Sequence, residues 1–181
     1  MSVESGGEVK ESKILKIVAE RPWLLLILDR VLDLSGDRFT AKDIAEHLGL
    51  RSYIVQRALW WLKKYGFVEE ISGTVPRKYR VKTVEDPLVD KLKMNRWVCG
   101  NTTVYRLDDT YVVLINRGDN IVARVIHRNV VDAIKEAMDR LGLGEDAVKI
   151  SQATGHDIAT VKTAIRVWKT IFCKLDKGQQ S

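Results

Sequence analysis

The sequence predicts a mainly α-helical fold with a small β component, of the α+β class, and three observations lead there. Apolar residues recur at helical spacing, as in Ile14, Leu15, Ile17 and Val18, and again in Val55, Ala58, Leu59 and Leu62. Short extended runs flank Gly, Pro, Asp and Asn residues over 67–82 and 102–127, which is the signature of hairpins. One pattern also occurs twice. Ile44-Ala45, Gly49, Val55 and Ala58-Leu59 return 106 positions later as Ile150-Ser151, Gly155, Val161 and Ala164-Ile165. That spacing suits two helices meeting at a tight glycine turn.

The first part reads in order. Met1 to Lys10, with Gly6-Gly7, is a loose tail. A helix through Ile14–Val18 stops before Arg21-Pro22, because the residue before proline avoids the helical region. Pro22 suits the first turn of a helix from about Trp23 to Leu34, closed by Gly36. Thr40 followed by Asp43 is a capping pair for a short helix through Leu48. Gly49 makes the turn, Ser52 caps a helix from about Tyr53 to Tyr65, and Gly66 ends it. Phe67–Ile71 and Lys78–Lys82, around a polar tip from Ser72 to Arg77, form a hairpin.

The second part begins after a linker over 83–96, which holds Glu85-Asp86-Pro87 and room for one helical turn. Runs at Thr102–Leu107, Thr110–Asn116 and Ile121–His127 predict a central three-stranded antiparallel meander, turned by Asp108-Asp109 and Arg117-Gly118-Asp119-Asn120. The middle run is apolar on both faces, so it should be covered on both sides, by the chain's own helices or by another subunit. Asn129 caps a helix from Val130 to Leu141, Asp146 starts another to Thr154, and the last runs from about Asp157 to Cys173. A gapless overlay of residues 24–64 on 130–170 gives eight identities in 41 positions, among them Gly49/Gly155, Val55/Val161 and Lys63/Lys169. They fall on turn and packing positions. The expected domains are 11–82 and 97–175, with a second tail at 176–181.

Charge is localised. The chain carries +6, and Arg51 to Lys82 holds eight Lys or Arg against Glu69 and Glu70, so this segment alone accounts for the excess. Such a concentration is an electrostatic footprint for phosphate. With Val55, Ala58, Leu59 and Leu62 facing inward, the 53–65 helix offers Tyr53, Gln56, Arg57, Trp60, Lys63 and Lys64 outward. Gln56 suits bidentate pairing with adenine and Arg57 with guanine or a phosphate. Arg51, Ser52 and Tyr53 stand at the turn, where backbone phosphate contacts are common. Arg77, Lys78 and Arg80 in the hairpin suit phosphates or the minor groove. Trp61 shares a stripe with Ile54, Ala58 and Tyr65 and belongs to the core, whereas an exposed Trp60 marks an interface. In the second pair the matching outer positions include Ala159, Lys162, Thr163 and Arg166, of which Lys162 and Arg166 suit DNA.

Three helices followed by a basic hairpin make residues 23–82 resemble the winged helix-turn-helix superfamily of transcriptional regulators. The residues that carry the resemblance are Ile44-Ala45-x-x-Leu48-Gly49, Val55-Gln56-Arg57-Ala58-Leu59-x-x-Leu62 and Gly66-Phe67-Val68. It covers about a third of the chain. Residues 129–173 read as a second helix-turn-helix unit, preceded by the meander instead of followed by a wing. The resemblance implies a sequence-specific binder of double-stranded DNA, a two-fold homodimer on inverted half-sites, or one chain using both units on a single site. Its rival is a winged-helix protein-interaction module in a transcription, replication or chromosome-maintenance assembly.

Nothing points to catalysis, a metal or a cofactor: there is no phosphate-binding glycine loop, no His/Cys ligand cluster and no nucleophile elbow. The longest apolar run, Trp23–Leu28, is too short to span a bilayer, and no signal peptide is read at the start. Cys99 and Cys173, far apart in sequence, suggest free thiols in a reducing cytoplasm. Abundant charge with few glutamines fits a thermophile.

Overall fold

The computed structural model describes residues 12–82 and 85–173. The tails expected at 1–10 and 176–181, and Thr83 and Val84 of the expected linker, lie outside the described residues.

Helix α1 (Lys13–Glu20) starts at Ser12, whose hydroxyl accepts from the Leu15 N–H, and ends ahead of Pro22. Helix α2 (Leu24–Leu32) is buried almost all round. Helix α3 (Ala41–Leu48) carries the capping box read from sequence, with Thr40 and Asp43 each bonding the other's backbone N–H. Gly49 then turns the chain at φ 65°, a conformation that L side chains avoid. Helix α4 (Ser52–Tyr65) follows, and Gly66 ends it. Ser52 does not cap α4, as the sequence suggested. It occupies the first helical position, and the cap residue is Arg51, which makes no side-chain cap bond.

Strands β1 (Val68–Ile71) and β2 (Lys78–Val81) form the expected hairpin, with Glu69 opposite Arg80 and Glu70 opposite Tyr79. Phe39 adds a bridge to Tyr79 through two backbone hydrogen bonds of 2.8 and 3.0 Å, which ties the entry to α3 onto the hairpin.

The second half differs from expectation in its sheet. It has four antiparallel strands in chain order, not three: β3 (Arg96–Cys99), β4 (Thr102–Leu107), β5 (Thr110–Asn116) and β6 (Ile121–His127). The extra strand β3 escaped because it is four residues long, lies at an edge and begins with Arg96. The stretch read as a linker contains α5 (Val89–Met94), and Leu88 and Leu92 are buried in the main core, so that stretch is packed.

Three helices complete the chain: α6 (Arg128–Leu141), α7 (Ala147–Thr154) and α8 (Ile158–Ile171). His127, not Asn129, caps α6, its imidazole Nδ1 accepting from the Asn129 N–H. Asp146 and Asp157 cap α7 and α8, and Gly155 sits between them at φ 76°.

The sheet is apolar on both faces, and this chain's own helices pack on both. Tyr105, Leu107, Val112 and Leu114 join the core of α1–α5, while Val104, Tyr111, Val113 and Ile126 join that of α6–α8. Alternate residues of one strand therefore serve opposite cores, as the two-residue period of a strand requires. The fold is mixed α/β, eight helices and two antiparallel sheets among the described residues.

The cysteines correct the sequence reading. Cys99 and Cys173 form a disulfide, with Cα atoms 6.0 Å apart across 74 residues of chain. Sequence distance was a poor guide because α8 packs against β3. With both cysteines in a disulfide, they no longer point to a reducing compartment. Among the described residues no helix is long and apolar enough to cross a membrane.

Candidate nucleic-acid interface

Helix α4 buries Ile54, Val55, Ala58, Leu59 and Leu62 and half-buries Trp61 and Tyr65. At about 100° per residue, the remaining positions fall in the order Ser52, Lys63, Gln56, Trp60, Tyr53, Lys64, Arg57 around one arc of about 140°. All seven are exposed. The sequence therefore does bring its predicted helix residues onto one face.

That face has two halves. Ser52, Gln56, Trp60 and Lys63 look into a groove of about 410 Å³, whose other walls are Thr40, Ala41 and Lys42 at the start of α3 and Glu70, Pro76, Arg77 and Tyr79 of the hairpin. The other half is bounded by the β5–β6 turn. Tyr53 donates its hydroxyl to the Asp119 carbonyl at 2.9 Å, and Arg57 stacks over Trp23 at 5.8 Å. The same turn receives the Arg51 N–H at the Gly118 carbonyl, 2.9 Å away, and the Asn116 amide donates to the Leu48 carbonyl. These bonds fix the start of α4 relative to the sheet.

Trp60 stands near the middle of the arc, half exposed, with its ring edge-on to Trp61 and the Lys64 ammonium 4.3 Å from its centre. Trp61 turns the other way, under the Arg21 guanidinium. The sequence argument that split this pair into outer and core residues matches the structure.

The hairpin is less uniformly cationic than its composition suggests. Glu70 lies within 3.3 Å of Lys63 and 3.5 Å of Arg77, so it neutralises part of the groove. Glu69 holds Arg80 on the other face, since Glu69 and Arg80 are cross-strand partners. By alternation Lys78 shares that face with Arg80, away from Tyr79 and Gln56. The eight cations of 51–82 thus divide between the groove, the far half of α4 and the outer side of the hairpin. The tip is held by Thr74, whose hydroxyl donates to the Ile71 carbonyl and accepts from the Lys78 N–H.

In the second pair Lys162 and Arg166 are exposed on α8. They line a separate depression of about 430 Å³ with Lys169, Glu145, Thr102 and the Cys99 end of the disulfide. Sequence reasoning overlooked Lys169, although the Lys63/Lys169 identity marked it. It also overlooked Lys42 and Glu70 as groove walls, because both become neighbours of α4 only through tertiary packing. Ala159 and Thr163, grouped with Lys162 from sequence, instead face His127 and Arg124 on the β6 side.

The acidic turn residues have local roles. Asp108 adopts φ 53° at the β4–β5 turn and pairs with Lys91, and the Asp119 carbonyl accepts from Tyr53. Among the described residues there is no cluster of three or more groups suited to a metal ion.

No family model matches the chain, and neither a curated protein nor a solved structure matches it.

Proposed function

We propose that residues 23–82 act as a winged helix-turn-helix unit that binds double-stranded DNA, in the role of a transcriptional regulator, with α4 in the major groove and the β1–β2 hairpin as a wing. The observation that carries this reading is the open arc of α4, bounded by the hairpin on one side and the β5–β6 turn on the other. A helix fits the major groove only if one whole side is free of protein, and α4 keeps such a side. Gln56 lies well inside it, where an amide can meet a base edge. Arg51 leaves the first-turn N–H groups of α4 without a side-chain cap, which favours a phosphate at that end. Arg77, Lys78 and Arg80 would hold the backbone from the hairpin.

Fluorescence anisotropy on labelled genomic fragments, titrated with salt, tests the proposal. Affinity should fall by about 10³ or more between 50 and 200 mM salt if six or more phosphates are contacted. Arg57→Ala should reduce discrimination between sequences, and Lys78→Ala should weaken all of them alike. Absence of retention at the lowest salt refutes the reading. Selection from random DNA separates a two-fold homodimer, which yields a palindrome, from two units of one chain on a single site, which yield unlike boxes.

A second reading, a protein-docking module in a transcription, replication or chromosome-maintenance assembly, is favoured by one observation. Glu70 already pairs with both Lys63 and Arg77 beside an exposed Trp60. A stoichiometric protein partner that competes with duplex DNA for the Trp60 face would place this reading first.

A further inference from the structure

The two depressions described above are built from corresponding positions. In the overlay that pairs Gly49 with Gly155, Ala41 pairs with Ala147, Gln56 with Lys162, Trp60 with Arg166 and Lys63 with Lys169. All four residues of the first set line the α4 groove, and all four of the second line the α8 groove. Each groove is also flanked by a β-hairpin. For α4 it is β1–β2, through Glu70, Arg77 and Tyr79; for α8 it is β3–β4, through Cys99 and Thr102. The second hairpin precedes its helices in the chain instead of following them.

Where the α4 groove presents Gln56 and Trp60, the α8 groove presents Lys162 and Arg166. Neither has a carboxylate within salt-bridge distance among the described residues. Lys169 pairs with Glu145 at 2.6 Å, the one acid of the lining among the described residues, so three cations there face one anion. Asp157, one turn before Lys162, is occupied in capping α8 and in a hydrogen bond with the Thr160 hydroxyl. Lys162, Arg166 and Lys169 span seven helical positions, about 10 Å along the axis. A row of that length meets successive phosphates of a strand more naturally than one small anion.

We infer that the α8 groove is a second duplex-binding face and that one chain holds two DNA segments at once. This rests on the proposal that α4 binds DNA, and extends it to the other side of the molecule. The α1–α5 core packs on one face of the sheet and the α6–α8 core on the other, so the sheet lies between the units that carry the two grooves. The second segment is recognised through its backbone, because Lys162, Arg166 and Lys169 supply charge and the groove, among the described residues, has no amide like Gln56 for reading a base.

The test is capture of one duplex by another. A biotinylated 30-base-pair duplex on beads is incubated with the full chain and a fluorescent duplex of the same sequence, and protein and fluorescence on the beads are both measured. The expected result is protein retained with fluorescent duplex beside it, the fluorescence lost as salt is raised. Lys162→Glu with Arg166→Glu should cut captured duplex at least tenfold and reduce it more than it reduces retained protein. A charge-matched control, Arg124→Glu with Arg140→Glu, should still capture. Protein absent from the beads overturns the α4 reading itself. Protein retained without captured duplex overturns this inference alone, as does capture that survives Lys162→Glu with Arg166→Glu, which would show bridging by protein dimers. Capture lost equally in the control also overturns it, because overall charge would then be the cause.

Discussion

The α3–α4 and α7–α8 pairs share a turn and differ in what lies beneath their second helix. Ile44 and Ile150, Val55 and Val161, and Ala58 and Ala164 are fully buried at matching places, and Gly49 and Gly155 turn the chain in the same left-handed conformation. Helix α4 rests on α2, α3 and β1 and leaves one side open. Helix α8 lies across the large sheet, touching all four strands as well as α6 and α7, and its open side narrows toward Lys162, Arg166 and Lys169. The packing positions of a helical pair can thus repeat while its outer face is set by the surface it is laid on. The surroundings, not the turn, decide how much of a second helix is free for a partner.

The units also differ in how they are fastened to the sheet, and β3 serves both. Its residues alternate, so Arg96 reaches α2 on one side while Cys99 reaches the end of α8 on the other. The covalent fastening should give the largest effect. Closing a loop over 74 residues removes chain entropy from the unfolded state worth about 4 kcal/mol. Cys99→Ser with Cys173→Ser, or added reductant, should lower the unfolding free energy by roughly that amount. Guanidinium titrations with and without reductant measure it. Equal midpoints would show that the second unit needs no covalent tie.

Removing buried methyls tests whether the two pairs are equivalent at their cores. Ile44→Ala and Ile150→Ala should each cost about 3 kcal/mol, since both side chains are wholly buried. The same titration reads both. A large cost at Ile44 beside a negligible one at Ile150 would break the equivalence, and with it the basis for treating the two grooves alike.

The polar fastening comes next. Asp29, 5% exposed among the leucines of α2, accepts from the Arg96 guanidinium at 2.7 Å and from the Tyr105 hydroxyl at 2.5 Å. Burial, then the Asp29 charge and its hydrogen bond, hold the Tyr105 phenol well above its usual range. A group with a raised folded value releases its proton first in the unfolded chain. Its stabilisation is therefore complete below about pH 10, the ordinary tyrosine value, and is lost as pH rises toward the folded one. Tyr105→Phe should cost about 1–3 kcal/mol at neutral pH. It should also flatten the alkaline fall in stability that the parent protein shows by circular dichroism.

What could be read from the sequence divides along the same line. Thr40 with Asp43, Gly49, Gly66, Asp146 and Gly155 act within a few residues of themselves, and each was legible with its role. The arc of α4 was legible too, because helical periodicity fixes it before any packing. The disulfide and the Asp29 contacts join segments 67 to 76 residues apart, and no local pattern encodes such meetings. Arg96 fell within the expected linker, because its partner Asp29 lies in another element. The candidate interface suffered in the same way. Its cations were named correctly, but their division between two faces of the hairpin depends on which ones Glu69 and Glu70 reach.

The smallest effects concern the helix starts. Thr40 and Asp146 occupy matching positions, and each caps the first helix of its pair by accepting backbone N–H bonds. Thr40→Ala and Asp146→Ala should each cost about 1 kcal/mol. The second helices are not alike: Asp157 caps α8, whereas the corresponding Arg51 leaves α4 without a side-chain acceptor. The Asp157 carboxyl is held below its ordinary range, first by the Thr160 hydroxyl and then by backbone N–H groups. Its contribution is present above the unfolded value and fades as pH falls through the folded one. Asp157→Asn should therefore reduce stability at neutral pH slightly and remove a little of its loss in acid, while Arg51→Ala should leave that acid limb unchanged. If both substitutions act alike on the acid limb, the two helix starts are not chemically distinct, and an uncapped α4 offers phosphate nothing that α8 does not.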